Sequence, residues 1–184
     1  VPAGIVKTPI GSGASTDLAG GMVIQPGGKI LFAGQSSSPT GLQDFSIARY
    51  NADGTFDTTF GNGGVVITPL NSGVTTDVGT SGALQPDGKV LVAGWTIGTT
   101  GIDFMVVRYN ANGSLDTTFG GGDGIATTAV GPGTASDQAL HLAVQSDGKI
   151  VLVGSTQPAS SPPGAPAIDV ALVRYNADGS LDAT

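Results

Sequence analysis

The sequence predicts an all-β fold built from three tandem copies of one unit of about 60 residues. Glycine and proline supply 31 and 11 of the 184 residues, and 39% of the chain is apolar. This composition favours many short strands joined by tight turns. All 14 acidic residues are Asp, which prefers turns and caps, whereas the helix-forming Glu is absent. We therefore expect almost no helix.

Internal repetition is the third observation. One string recurs with a period of 60 residues, as QPGGKILFAG from Gln25, QPDGKVLVAG from Gln85 and QSDGKIVLVG from Gln145. A second string recurs as DFSIARYNADGTFDTTFG from Asp44, DFMVVRYNANGSLDTTFG from Asp103 and DVALVRYNADGSLDAT from Asp169. These marks divide the chain into repeats at residues 1–60, 61–119 and 120–184.

Each repeat is predicted to contain four antiparallel strands. In the second repeat they cover residues 65–70, 77–85, 89–94 and 103–110. Pro-Asp-Gly at 86–88 supplies a tight turn between the second and third strands. The third strand is apolar at consecutive positions, which predicts burial on both of its faces.

Small antiparallel sheets that are covered on both faces and repeated in tandem are typical of β-propeller blades. A β-solenoid is the alternative, but hairpin turns at fixed positions favour blades. Propellers close with about four to eight blades, so three predict an open segment or a part of a larger ring or assembly. Since the chain starts and stops at one phase of the repeat, we expect it to be a fragment, to close a ring with another copy, or to stack head to tail. A stable isolated monomer is not expected.

The repeated string RYN-[AN]-[DN]-G-[ST]-[FL]-D-[TA]-T, followed by Q-[PS]-[DG]-GK, resembles the delta-60 repeat family of bacterial β-propeller-type proteins. The resemblance covers essentially the whole chain and implies propeller blades. It also implies a large secreted or cell-surface bacterial protein.

Charge and composition restrict the kinds of partner and the location that we expect for the chain. The net charge is −7 and the seven cations are scattered singly, which disfavours nucleic acid. No apolar run approaches the roughly 20 residues that span a bilayer, and the chain has no cysteine. An acidic, cysteine-free chain rich in Gly, Ser and Thr suits an extracellular or cell-surface location.

The charges fall on repeated positions, which indicates an architectural role. We expect structural ion pairs between the repeated arginines and one of two repeated aspartate sets; calcium clusters are the alternative. The residues are Arg49, Arg108 and Arg174, with Asp17, Asp77 and Asp137 or with Asp44, Asp103 and Asp169.

The string around Asn51, Asp53 and Asp57 resembles part of a calcium-binding loop. Aligning its glycine with that of an EF-hand places Arg49 first and Phe60 twelfth, where oxygen ligands are needed, so the EF-hand fails. We interpret the three residues as a turn, with a calcium site of another type as the alternative.

The loops between the third and fourth strands vary in length and are uncharged, as loops of propeller binding surfaces can be. Plain surface loops are favoured over loops that contact glycans or partners. The candidate contact residues are Ser38, Thr40, Trp95, Thr99, Thr100, Ser160 and Ser161.

Catalytic machinery is not apparent. His141 is the single histidine and has no counterpart in the other repeats. The abundant hydroxyl groups lack a basic partner. The sequence thus predicts a structural or interaction module that is not an enzyme, has no cofactor except possible calcium, and joins further blades or copies of itself. The alternative is a ligand- or carbohydrate-binding adhesin.

Overall fold

A computed structural model describes residues 4–11, 13, 15–37, 41–70, 76–98, 101–158 and 168–183. These residues contain eleven strands and no helix, so they include no helix of the length and apolarity that crossing a membrane requires. The strands are β1 (Asp17–Ile24), β2 (Ile30–Ser37), β3 (Gln43–Tyr50), β4 (Val65–Thr68), β5 (Asp77–Leu84), β6 (Val90–Ile97), β7 (Ile102–Tyr109), β8 (Ile125–Thr128), β9 (Ser136–Val144), β10 (Ile150–Gln157) and β11 (Asp169–Tyr175).

The strands form three antiparallel blades. The first blade has the order β1-β2-β3-β4. The second blade pairs β5, β6, β7 and β8, and the third pairs β9, β10 and β11. One parallel bridge, between Ile102 and Ser136, links the second and third blades into a continuous sheet. The three blades form an open propeller segment.

The fourth strand of each complete blade comes from the next repeat. Strand β4 pairs with β3, and β8 pairs with β7. Residues 65–70 were predicted to form the first strand of their own repeat, whereas in the structure this strand is the last one of the preceding sheet. Each complete blade therefore crosses a repeat boundary. The sequence did not reveal this, because repetition alone does not show where a blade starts.

Two apolar cores lie between the blades. In one, Phe45 and Ile47 of the first blade pack with Val92 and Met105 of the second. In the other, Phe104 and Val106 of the second blade pack with Ile150 and Leu152 of the third. Because successive strand residues point to opposite faces, β6, β7 and β8 of the second blade each contribute to both cores. Burial on both faces, expected from the consecutive apolar residues, is observed along β6.

A repeated glycine brings the first two strands of each blade close together. Gly34, Gly94 and Gly154 share one position in β2, β6 and β10, and a Cβ on each would overlap a backbone carbonyl oxygen of the neighbouring strand. Register shifts mark β-bulges at the same level of all three strand pairs. A bulge bends its strand and increases the twist, which brings the backbones into this contact.

Candidate functional site

The charged side chains form one ion-pair cluster per repeat. In the first cluster, the Asp57 carboxylate accepts from Arg49 Nε at 2.7 Å and lies 2.5 Å from Lys29 Nζ. The second and third clusters repeat this arrangement with similar distances: Arg108, Lys89 and Asp116, then Arg174, Lys149 and Asp182.

The predicted partners of the arginines were therefore wrong. Neither the Asp17, Asp77 and Asp137 set nor the Asp44, Asp103 and Asp169 set supplies the carboxylate in these ion pairs. The partner lies eight residues after each arginine, because a tight turn folds the chain back and the Asp57 amide donates to the Arg49 carbonyl. The fixed spacing of eight in all three repeats was the signal that sequence reasoning missed.

The first two clusters also reach the following blade. Arg49 Nη1 donates to the Ala111 carbonyl at 2.7 Å, and Arg108 Nη1 donates to the Ala177 carbonyl at 2.5 Å. Each guanidinium also lies 4.4 Å from the centre of an aromatic ring, Phe60 and Phe119 respectively. The arginine thus joins its own turn to the next blade.

Hydrogen bonds in these clusters favour the ionised carboxylate. Those from Lys29 and Thr59 hold the pKa of Asp57 well below its usual range. Burial opposes ionisation of Asp116, but bonds from Thr118 and Lys89 and the Arg108 charge still hold its pKa well below that range.

Asp17 and Asp137 each bind the backbone of the segment that precedes the first strand of their blade. The Asp17 carboxylate accepts from the amides of Ile10 and Gly11 at 3.0 and 3.2 Å, and from Ser36 Oγ at 2.6 Å. These bonds lower the pKa of Asp17, although burial opposes them. Asp137 accepts from the amides of Val130 and Gly131 in the same way.

Asp77 occupies the equivalent position and is fully buried, with a hydrogen bond from Thr96 Oγ1 at 2.5 Å. Burial raises the pKa of Asp44, and the charge of the neighbouring Asp77 raises it further. Burial and the Asp137 charge raise the pKa of Asp103 similarly. Asp169 is exposed. Each blade-to-blade crossing therefore holds two neighbouring carboxylates.

The residues proposed for calcium serve the turn after β3. Asn51 Nδ2 donates to Thr55 Oγ1 and the Phe56 carbonyl, and Asp53 accepts from the Thr55 amide and hydroxyl. Asp57 belongs to the ion-pair cluster. The described ranges contain no group of three or more His, Cys, Asp or Glu residues that could hold a metal ion.

Most of the predicted contact loops lie outside the described residues, namely Ser38, Thr40, Thr99, Thr100, Ser160 and Ser161. Trp95 is half-buried on β6, between Val78 of β5 and Phe104 of β7. His141 is exposed on β9.

A cleft of about 820 Å³ lies between β8 and the turn after β11. Asp178 lines it, but its carboxylate accepts from the Ser180 amide and hydroxyl within its own turn. Tyr175, also in the lining, shares a hydrogen bond with Thr128. These polar groups are thus engaged in holding the local structure.

The three ion-pair clusters lie in segments that match a known family. A profile described as a domain of unknown function (DUF5122) β-propeller matches residues 25–60, 85–119 and 145–184, more than half of the chain. The chain belongs to the DUF5122 β-propeller family. This confirms the resemblance to delta-60 repeats and the propeller fold expected from it. Curated proteins include no match to the chain.

The three matched segments of the DUF5122 chain share the same set of charged residues. Each contains the Lys, Arg and Asp of one ion-pair cluster, as at Lys89, Arg108 and Asp116. The family motif thus coincides with the contacts that fix the turn and, in the first two repeats, join consecutive blades.

Proposed function

We propose that the chain is a non-catalytic structural module whose blades join further blades or copies of itself. The charged groups described above support this, since they hold turns, crossings and neighbouring blades. The observation that carries the proposal is a pair of uncovered apolar faces, one on each outer blade.

The first face is defined by Met22 and Ile24 of the first blade, both exposed. The counterpart of Ile24 in the second blade, Leu84, packs against the core between the first two blades. The second face is defined by Val170 and Leu172 of the third blade, which are also exposed. Exposed apolar patches of this kind mark sites of association.

Introducing a charge on the second face tests the proposal. Leu172→Lys places a charge among residues that association would bury, so we expect weaker self-association. Ile67→Lys is the matched control, because Lys7 occupies the equivalent position in the first repeat and Thr127, its counterpart in β8, stays exposed although the first blade packs against the second. Sedimentation velocity over a range of concentrations measures the effect. Equal association of both variants would contradict the proposal, as would a wild-type chain that stays monomeric.

The proposal includes the absence of a cofactor. We expect a chelator or added calcium to leave the melting temperature unchanged, since a ligand that binds the folded state raises it. A calcium-dependent shift would contradict this part of the proposal.

An extracellular or cell-surface location is part of the same proposal, supported by the acidic, cysteine-free composition and the family resemblance. Protease treatment of intact cells that make the protein is expected to degrade it. Protection until the cells are lysed would contradict the location. The adhesin alternative predicts binding in a glycan screen, whereas the structural module predicts none.

A further inference from the structure

We propose that a second copy of the chain supplies residues 5–8 as the missing fourth strand of the third blade, paired antiparallel with β11. This inference rests on the proposed function and specifies the partner and the contact. It starts from an edge strand that lacks the neighbour its counterparts have.

The open edge is that of β11. In the complete blades the third strand pairs with a four-residue strand, as β3 does with β4 and β7 with β8. Among the described residues, β11 pairs with β10 alone. Its free edge therefore presents backbone groups on which another strand can add.

Residues 5–8 have the sequence of such a strand and follow a glycine of the same backbone conformation. They read Ile-Val-Lys-Thr, where β4 reads Val-Val-Ile-Thr and β8 reads Ile-Ala-Thr-Thr. The preceding residues, Gly4, Gly64 and Gly124, all have positive φ, at 84°, 104° and 87°. Residues 5–8 nevertheless belong to neither sheet of the described structure.

These residues already lie against the first blade as the last strand of a preceding blade would. Thr8 shares a 2.5 Å hydrogen bond with Tyr50, as Thr68 of β4 does with Tyr109 at 2.8 Å. The Val6 side chain lies over Gly54, as that of Val66 in β4 lies over Gly113. The donor strand is thus held in the geometry that each internal blade contact uses.

The exposed faces are the two halves of that same contact. Phe104 and Val106 of β7 are fully buried by the third blade, whereas their counterparts Val170 and Leu172 are 85% and 66% exposed. On the first blade, Met22 and Ile24 are 66% and 65% exposed. Leu142 and Val144 hold these positions in the third blade and pack against the core between the second and third blades. A second copy placed head to tail covers both faces and completes β11 at once.

The repeat fixes the register of the added strand. Phe45 pairs with Thr68 and Ile47 with Val66 in the first blade; Phe104 pairs with Thr128 and Val106 with Ala126 in the second. The equivalent pairs are Val170 with Thr8 and Leu172 with Val6 of the second copy.

Single-cysteine variants test this register, since the chain has no cysteine of its own. Directly opposed residues of an antiparallel pair have Cβ atoms about 4.5–5.5 Å apart, so a small shift brings them to the roughly 3.5–4.5 Å of a disulfide. We expect a mixture of Val6→Cys and Leu172→Cys chains, under mild oxidation, to give a cross-linked pair. Neither variant alone should cross-link to that extent, because the contact joins two different surfaces.

Val170→Cys mixed with Val6→Cys is the control. Val170 lies on the same face and is more exposed than Leu172, so random collision would favour it. In the proposed register it lies diagonally from Val6, at roughly 7–8 Å, and cross-links poorly. Equal cross-linking in both mixtures, none in either, or efficient cross-linking of Val6→Cys alone would overturn the strand pairing. If sedimentation still shows association, the proposed function stands and only the strand pairing fails.

Discussion

Each repeated arginine forms an ion pair with the aspartate eight residues later in its own repeat. In the first two repeats the arginine also donates a hydrogen bond to a carbonyl oxygen of the next blade. Arg108 and Asp116 are almost fully buried, so their charges depend on each other. Removing one partner of a buried pair leaves the other charge uncompensated, which is far more costly than losing an exposed pair. The clusters are thus the residue-scale basis of blade stacking.

Asp116→Asn is expected to lower the free energy of unfolding by about 3 kcal/mol, because Arg108 loses its charged partner in a buried site. Denaturant unfolding measures the loss. Asp87→Asn is the control, since Asp87 lies in an exposed turn, and its effect should stay within about 0.5 kcal/mol. Equal effects of the two substitutions would contradict the structural role of the cluster.

Asp44→Asn is expected to raise the melting temperature at pH 7. Burial and the Asp77 charge raise the pKa of Asp44, so its ionised form destabilises the folded state at neutral pH. The gain should vanish as the pH falls through that raised pKa, where the wild-type carboxyl becomes protonated. Asp57 and Asp116 act oppositely: their lowered pKa values give stability above the ordinary pKa of Asp that is lost in acid.

Melting curves from pH 7 into the acid range measure this difference. The control is Asp53→Asn, which the chain itself accepts as Asn112 in the second repeat. We expect little change from it at pH 7, since Asp53 lies in an exposed turn. A constant effect of Asp44→Asn across the pH range would exclude charge repulsion as its cause.

At the scale of the element, close contact between the first two strands of each blade depends on one glycine. A Cβ at Gly94 of β6 would overlap the carbonyl oxygen of Val78 in β5, and the other two blades repeat this contact. The strands can separate only by disturbing the cores on both sides of the sheet. The glycine is therefore required by packing.

Gly94→Ala is expected to destabilise the chain by about 1–3 kcal/mol, as overpacking in a core does. Gly98→Ala is the matched control, because a Cβ there meets its neighbours at ordinary distances of 3.5 Å and more. Thermal or denaturant unfolding compares the two variants. If Gly98→Ala were as destabilising as Gly94→Ala, close strand contact would not explain the repeated glycine.

The elements show what the sequence could predict. Period, hairpin turns and consecutive apolar residues predicted the strands and burial on both faces of β6, because these depend on local chemistry. The assignment of β4 to the preceding sheet could not be predicted, since every repeat contains an equivalent segment and its pairing is decided in three dimensions. Asp57 lies in the same repeated string as Arg49, but only the backbone turn shows that the two side chains meet.

At the scale of the whole molecule, the segment repeats one blade contact twice and exposes both halves of it again at its ends. Two copies joined head to tail through both ends would contain six blades, within the range of closed propellers. A contact between two different surfaces closes into a ring when the rotation allows it and otherwise forms a filament. We expect the closed pair.

Native mass spectrometry of the purified chain tests this claim most directly. The chain has a mass of 18.0 kDa, so we expect one discrete species of about twice that mass at micromolar concentration. Leu172→Lys should shift it to the single-chain mass, and Ile67→Lys should not. A wild-type chain that remains folded at 18.0 kDa would contradict the account.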